Sequence, residues 1–229
     1  MSIFSYILNG DYFTAILFVL SRTFVVFCCL PIHELAHGWM AYKLGDTTAK
    51  DSGRLSFNPL AHLNPIGTIM IFLFGIGYAN PVPVNPNRFK DPKKGMALTA
   101  LAGPLSNLLM GFVSVFFFYL FNFLNIRMGS STFLTALALF FFYSASVNVS
   151  LAVFNLLPIP PLDGSRILGG LLSDEAYNKY FQYERYIMLG VMLLLFTGIL
   201  NVPLSFLNNL MMKFISIIPK AIFSLFIWG

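Results

Sequence analysis

We predict that this sequence folds as an all-α polytopic membrane protein with about five to six transmembrane helices and a short membrane-embedded β-strand or re-entrant region. Of its 229 residues, 57% are hydrophobic and only 10% are charged. A soluble globular domain carries about 25% charged residues. A soluble core of this size has no place for so much apolar surface, so we expect the excess to face lipid.

Apolar residues concentrate in six segments of the chain. These segments cover residues 12–44, 66–79, 97–126, 132–158, 186–200 and 203–228. Because a spanning helix needs about 20 apolar residues, the first, third, fourth and sixth are predicted to cross the bilayer. The fifth reaches that length only with the flanking Tyr180 and Phe181. The second is too short, and glycine and proline interrupt it.

The charged residues indicate how the chain is threaded. The net charge is +5, and the basic residues cluster in short loops, which is typical of cytoplasmic loops. Such loops stand on both sides of the short second segment, with Lys43, Lys50 and Arg54 before it and Arg88, Lys90, Lys93 and Lys94 after it. If both are cytoplasmic, residues 66–79 enter and leave on one side, which requires protein to cover their backbone. The absence of a basic stripe interleaved with exposed aromatics excludes nucleic-acid binding.

Two other local patterns complete the outline. Glycine and proline punctuate residues 51–65, and residues 54–57 alternate polar with apolar, which predicts a short strand or hairpin. Cys28 and Cys29 are adjacent, so they predict no disulfide. The N-terminus has no basic region followed by a small-residue cleavage site, so we expect the first apolar segment to remain as a membrane helix.

The motif that carries chemistry is His33-Glu34-Leu35-Ala36-His37, near the inner end of the first segment. The two histidines are one helical turn apart, about 6 Å along the axis, and can share one zinc ion. Glu34 stands beside them as a general base for a water molecule. Each ionisable group in the hydrocarbon layer costs about 2.5–3.5 kcal/mol, so three of them on one turn require a compensating partner, and a metal ion satisfies all three.

A catalytic zinc site takes three protein ligands and keeps one position open. By the threading above, the inner end of segment 132–158 returns to the depth of the histidines. There the sequence reads NLLPIPPLDG, residues 155–164, and offers the carboxylate of Asp163 on a proline-fixed turn. Asp163 can also serve as the N-cap of a following helix, and the two roles are compatible.

Together the HELAH motif, the NLLPIPPLDG stretch and the six apolar segments resemble the site-2 protease family of intramembrane zinc metalloproteases. The resemblance covers residues 12–170 and is closest to compact members without a PDZ or CBS domain. It implies a zinc-dependent endopeptidase that hydrolyses peptide bonds of membrane-spanning protein or peptide substrates. It also implies a location in the lipid bilayer, which we expect to be a bacterial inner membrane, with the active site near the cytoplasmic side.

The resemblance also implies residue roles. His33, His37 and Asp163 are expected to ligate one Zn²⁺ ion, and Glu34 is expected to be the catalytic base. Asn155 matches an asparagine that binds the substrate carbonyl or oxyanion, and residues 53–57 resemble a membrane-embedded strand that pairs with an extended substrate. We expect residues 1–229 to form a single domain, with a catalytic core over 12–170 and C-terminal helices over 180–228.

Alternatives stay open at this point. The chain can be a non-proteolytic zinc-binding membrane protein or a metal transporter, or a zinc protease whose third ligand is one of the later acids Asp174, Glu175 and Glu184. Cys29 is expected to be a small buried hydrophobe rather than a ligand, and His62 a hydrogen-bonding surface group rather than a spare ligand or relay. A polar cleft near residues 80–87 is the expected water route. No motif selects a substrate or an oligomeric state.

Overall fold

The computed structural model describes residues 3–74 and 79–228, and this part of the chain is helical throughout, with turns and extended loops but no β-strand. We number the α-helices α1 to α12 in chain order. They are α1 (Ile3–Leu8), α2 (Tyr12–Phe24), α3 (Leu30–Lys43), α4 (Thr48–Asp51), α5 (Pro59–His62), α6 (Pro65–Phe74), α7 (Pro92–Met128), α8 (Thr132–Asn155), α9 (Asp163–Gly169), α10 (Asp174–Gln182), α11 (Glu184–Phe196) and α12 (Asn201–Trp228). A π-helical segment, Val25–Cys29, joins α2 to α3, and Pro86–Arg88 forms a 3₁₀ turn.

Four helical units in the described ranges are long and apolar enough to cross a membrane. They are Tyr12–Lys43, Pro92–Met128, Thr132–Asn155 and Asn201–Leu225. The other two predicted segments are shorter, because α6 has 10 residues and α11 has 13. The protein is therefore a multi-pass helical membrane protein with four candidate spans. The predicted helical membrane architecture is confirmed, but the predicted number of five to six spans is not.

The interior lies where α7, the longest helix, packs against α8, with α3 and α12 on either side. Small residues permit this close packing, since a Cβ on Gly111 of α7 would lie 3.3 Å from Val149 of α8 and 3.5 Å from Ile215 of α12. Val115, Ala145, Val149, Val153 and Ile215 form the buried cluster at this junction. Because Ile215 contributes to this cluster, α12 shares a core with α7 and α8.

The first span changes helical register just before the histidines. The N–H of Leu30 donates to the carbonyl of Val25, five residues back, which closes the π-helical turn. Pro31 follows in the first turn of α3 and has no N–H to offer to the carbonyl of Phe27. The described structure accommodates this proline with the π-helical turn before it, a feature common at functional sites.

The residues just before α6 contact the residues that follow the undescribed stretch 75–78. The amide of Asn64, just before α6, donates to the side chain of Asn80 at 3.1 Å, and the amide of Asn80 donates to the carbonyl of Leu63 at 2.8 Å. At the other end of α6, the buried guanidinium of Arg22 donates to the carbonyl of Phe72. The partner of the buried Arg22 side chain is therefore this helix end. Gly75 and Gly77, two of the glycines that interrupt the second apolar segment of the sequence, lie outside the described residues.

Two predictions about residues 51–65 are wrong. Residues 53–57 form bends and coil rather than a strand, because a strand needs a hydrogen-bonded neighbour and no described segment pairs with them. His62 is not a surface group: it is fully buried, its Nε2 lies 2.8 Å from the carbonyl of Ser56, and its own carbonyl accepts from Asn80 N–H at 2.7 Å. These long-range contacts, which the local sequence does not encode, draw the histidine inward.

Residues 79–85 form a loop without regular secondary structure, and a buried carboxylate holds this loop. Asp46, fully buried in the turn after α3, accepts from the backbone N–H of Asn85 at 2.7 Å and of Thr48 at 3.0 Å. Burial opposes the ionisation of Asp46, but these hydrogen bonds and the nearby Arg88 charge outweigh it and hold the pKa of its carboxyl below the ordinary value.

We expect Asp46→Asn to lower the free energy of unfolding by about 1.5–3 kcal/mol at pH 7, since it removes hydrogen bonds to a charged acceptor. Because the folded-state pKa of Asp46 is depressed, its contribution is present at neutral pH and is lost as pH falls below about 4. The measurement is the thermal midpoint of the purified protein between pH 3 and 7. The wild type should approach the variant at low pH, and the exposed Glu175→Gln should behave as wild type. Equal midpoints for Asp46→Asn and wild type at pH 7 would refute this role.

Candidate metal centre

The two histidines of α3 face one another on the inner side of the helix. Their Nε2 atoms are 3.0 Å apart, and the rings stand nearly perpendicular, at 87°. His33 is buried, with 4% of its surface exposed. The Nδ1 of His37 lies 2.8 Å from the backbone carbonyl of Thr99 on α7, which leaves Nε2 as the free lone pair of a neutral His37.

Asp163 reaches the same point from a distant part of the chain. Its Oδ2 atom lies 3.5 Å from Nε2 of His33 and 3.4 Å from Nε2 of His37. Burial opposes the ionisation of Asp163, but contact with both imidazoles outweighs it and holds the pKa of this carboxyl well below its ordinary value. Asp163 therefore presents an anionic oxygen to the two imidazole nitrogens.

The turn between α8 and α9 places this carboxylate. Backbone hydrogen bonds from Ile159 to Leu157 and from Leu162 to Ile159 fold residues 156–162 tightly, and the hydroxyl of Tyr180 donates to the carbonyl of Pro158. Asp163 is the first residue of α9, and Leu162 is the N-cap of that helix. Asp163 is therefore not an N-cap residue. A Cβ on Gly164 would lie 2.2 Å from the carbonyl oxygen of Leu157, so only glycine fits after the aspartate.

The spacing of the three atoms fits a zinc ion. In tetrahedral coordination with ligand distances near 2.1 Å, ligand atoms are separated by about 3.3–3.5 Å. The observed separations are 3.0, 3.4 and 3.5 Å. Two lone pairs and a carboxylate directed at one buried point repel each other unless a cation lies between them. These three residues are the group of potential metal ligands found in the part of the chain that the structure describes.

Glu34 lies beside this group and is also buried, with 7% of its surface exposed. Its Oε2 accepts a hydrogen bond from the backbone N–H of Val82 at 3.1 Å. Pro81 and Pro83 on either side of Val82 have no N–H, so Val82 is the one donor that residues 81–83 can offer. The extended loop therefore fixes one oxygen of the Glu34 carboxylate.

A cavity of about 840 Å³ connects these residues. His33, Glu34, His37, Asn155 and Asp163 all line it. Asn155, the last residue of α8, thus shares one chamber with the metal-binding group. From residues 80–87 the lining comes from Pro81, Val82, Val84 and Pro86. The prediction that this stretch lines a polar cleft is therefore wrong. Its lining residues form an apolar wall of the cavity, and Asn80 makes hydrogen bonds to other loop residues.

Two supporting features were missed in the sequence. The carbonyl of Thr99 that orients His37 belongs to the backbone and has no side-chain signature. Gly103 of α7 is the second feature: a Cβ there would lie 2.3 Å from Nε2 of His37 and 2.6 Å from Cε1 of His33. The absence of a side chain at Gly103 therefore makes room for both imidazoles.

The other candidate ligands lie elsewhere. Cys29 is buried against Asn148, whose Nδ2 is 3.5 Å from its Sγ, and it is not part of the metal-binding group. Its expected role as a buried small side chain agrees with this position. Asp174 is exposed and pairs with Lys93 at 2.7 Å. The described residues therefore favour Asp163 over the later acids as the third ligand.

A buried His–His–carboxylate centre beside a glutamate, inside a bundle of membrane-length helices, defines a membrane zinc metalloprotease. The chain belongs to peptidase family M50, the site-2 protease family, whose family model matches residues 22–199. The family and its relatives confirm the zinc cofactor and the endopeptidase class, so the alternatives of a transporter and of a non-proteolytic zinc protein are set aside.

Curated relatives agree with this assignment. YwhC of Bacillus subtilis, provisionally named a zinc metalloprotease, is 45% identical over 155 residues, which cover 68% of this chain and 70% of the relative. MJ0611 of Methanocaldococcus jannaschii, with the same provisional name, is 33% identical over 72% of this chain and 76% of its own length. Zinc metalloprotease MJ0392 of the same organism is 29% identical over 74% of this chain but only 38% of its own length. No solved structure matches the chain significantly.

We expect Gly103→Ala to abolish stoichiometric zinc binding. The added methyl group would lie within van der Waals overlap of both imidazoles, and His37 cannot withdraw without breaking its contact to Thr99. The measurement is the zinc content of the purified protein. Gly190→Ala on α11 is the matched control, since nothing lies within 4 Å of its added Cβ. A zinc content equal to wild type in Gly103→Ala would contradict the close packing described here.

Proposed function

We propose that His33, His37 and Asp163 hold the single zinc ion of this protease, that Glu34 is the general base, and that Asn155 binds the substrate carbonyl. The observation that carries the proposal is the convergence of three potential ligand atoms, 3.0–3.5 Å apart, from chain positions 126 residues distant. Asp163 is adjacent to neither histidine in sequence, so the fold alone brings the three together.

The residues divide the work of peptide hydrolysis. Zinc, when bound, polarises the scissile carbonyl and acidifies the attacking water. Glu34 takes the proton from that water and later passes it to the leaving amine. The hydrogen bond from Val82 keeps the Glu34 carboxylate aligned, and burial keeps it out of contact with bulk solvent.

Asn155 is proposed to donate from its amide to the oxygen that gains negative charge as the carbonyl is attacked. Its position supports this role, because it lines the chamber with the metal-binding group and lies at the start of the turn that holds Asp163. A rigid turn of this kind holds the donor in one place during the reaction, which is the condition for electrostatic stabilisation.

The substrates are proposed to be transmembrane segments that unwind before they are cut. Unwinding exposes backbone N–H and C=O groups that are costly in lipid unless they find partners. Residues 54–57, which are irregular and partly exposed, can offer backbone N–H and C=O groups as such partners. We therefore expect preference for segments with helix-weakening residues.

The chain is proposed to act as a single domain, 1–229, in a bacterial inner membrane, with residues 66–79 re-entrant and the metal centre near the cytoplasmic side. The contact between Asn64 and Asn80 supports the re-entrant path, since both ends of the segment meet. The basic residues of the two adjoining loops support a cytoplasmic location for those ends.

We expect Glu34→Gln to reduce cleavage by at least about 100-fold, the lower bound of general-base contributions, while zinc stays bound. The assay uses wild type and variant in membrane vesicles with single-span model substrates, each made with and without a Gly–Pro pair in the span. Glu184→Gln, an acid outside the chamber, is the control and should cleave like wild type. Retained cleavage by Glu34→Gln would remove Glu34 from the mechanism.

We expect the two loops on either side of residues 66–79 to be accessible from the same face of the membrane. In a Cys28→Ala background, Ser52→Cys and Asn87→Cys should both react with a membrane-impermeant maleimide in inverted vesicles. Thr132→Cys, exposed at the start of α8, should react only in right-side-out vesicles. Labelling of Ser52→Cys and Asn87→Cys from opposite faces would show that the segment spans the bilayer.

A further inference from the structure

The two histidines of the metal centre are supported differently. A histidine that binds zinc through Nε2 carries its proton on Nδ1, and that N–H is normally held by an acceptor that fixes the ring. His37 has such an acceptor in the carbonyl of Thr99, at 2.8 Å. The Nδ1 of His33 is buried and has no hydrogen-bond partner among the described residues. A buried donor of this kind costs about 1–3 kcal/mol unless it is satisfied.

An equally buried amide lies on the neighbouring helix. Asn107 of α7 is fully buried, and neither Nδ2 nor Oδ1 has a hydrogen-bond partner in the described part of the chain. It stands one helical turn after Gly103, the residue packed against His33, and one turn before Gly111. The position of Gly111 places its missing Cβ 3.7 Å from the Cβ of Asn148 on α8. Asn107 therefore faces the space between His33 and Asn148.

Asn148 closes this space from the other side. It is fully buried, its Nδ2 donates to the carbonyl of Ser144 at 2.9 Å and lies 3.5 Å from Sγ of Cys29, and its Oδ1 has no partner among the described residues. Cys29 precedes His33 by one helical turn, and a helical side chain leans toward the N-terminus of its helix. The ring of His33 is therefore directed toward the level of Asn107 and Asn148.

Thr99, whose buried hydroxyl also has no hydrogen-bond partner among the residues that the structure describes, is less well placed. α3 and α7 run antiparallel here, because His37 contacts Thr99 while Gly103, one turn later, faces both rings. Thr99 thus lies on the His37 side of the centre, and His33 leans away from it. Of the two α7 residues, Asn107 is the one that the packing assigns to His33.

We propose that Asn107 and Asn148 form a polar cradle that holds one buried water, and that this water accepts the Nδ1–H of His33 and positions its imidazole for the metal. The proposal rests on the metal ligation proposed above. The donors and acceptors are complementary: the water accepts from His33 and from the Asn107 amide, and donates to Oδ1 of Asn148. Three polar partners are the usual number for a buried water. Asn107 and Asn148 are positioning residues in this scheme and touch neither zinc nor substrate.

The test measures how tightly zinc is held in the full-length, zinc-loaded protein in lipid nanodiscs. Asn107→Leu and Asn148→Leu replace each amide by an apolar side chain of similar volume, and zinc release to a chelator should accelerate about 10- to 100-fold in each. Because both amides serve one water, the double variant should release zinc no faster than the more affected single variant. Asn122→Leu on the same helix is the control, since its Nδ2 is satisfied by Phe118 of its own helix at 2.8 Å.

A second readout separates positioning from general packing. The chain has three histidines, so ¹⁵N-histidine labelling gives an assignable spectrum. The Nδ1–H signal of His33 should shift in Asn107→Leu and remain as in wild type in Asn122→Leu, while Asn107→Ser, which retains a polar group, should restore slow zinc release. If Asn107→Leu and Asn148→Leu both release zinc at the wild-type rate and keep the wild-type His33 signal, the proposed water site is refuted, while the metal centre is unaffected. Failure of the wild type to hold one zinc would overturn the metal centre itself.

Discussion

The meeting of two imidazole lone pairs and one carboxylate inside the helix bundle is the constraint on which the rest of the structure depends. At 3.0–3.5 Å, in surroundings that screen charge poorly, these groups repel one another unless a metal ion or a proton lies between them, and their spacing fits a metal ion. That requirement fixes the distance of α3 from α7 and the position of the turn before α9. Gly103 and Gly164 meet this requirement because they have no side chain. A methyl group at Gly103 would overlap the imidazoles, and one at Gly164 would overlap the backbone of the turn before α9.

The features that the sequence predicted are those set by short-range geometry or by chain length. One helical turn places His33 and His37 on one face whatever the tertiary structure. The prediction that Asp163 is the third ligand required a longer argument. It agrees with the fold because the lengths of the apolar segments determine the depth in the membrane to which the chain returns. The four longest apolar segments likewise became the four candidate spans.

The features that the sequence did not predict depend on contacts between distant residues. Hydropathy does not show where a helix ends, so α11 was counted as a possible span although it has 13 residues. Residues 53–57 alternate like a strand, but a strand exists only with a partner. His62 is polar and lies in a loop, yet its contacts with Ser56 and Asn80 bury it completely. The acceptor of His37 is a backbone carbonyl, which every residue type carries.

The loop of residues 79–85 organises the candidate active site from outside the metal-binding group. Asp46 holds one end of the loop through the N–H of Asn85, and Arg54 holds the other through the carbonyl of Asn80, at 2.8 Å. Between these anchors, the prolines leave the N–H of Val82 to meet Oε2 of Glu34, while no described residue forms a hydrogen bond with Oε1. A carboxylate held by one oxygen keeps the other available to a water molecule in the chamber. The proposed base is therefore aligned by a loop that supplies no catalytic side chain, and its alignment depends on two charged residues outside the metal centre.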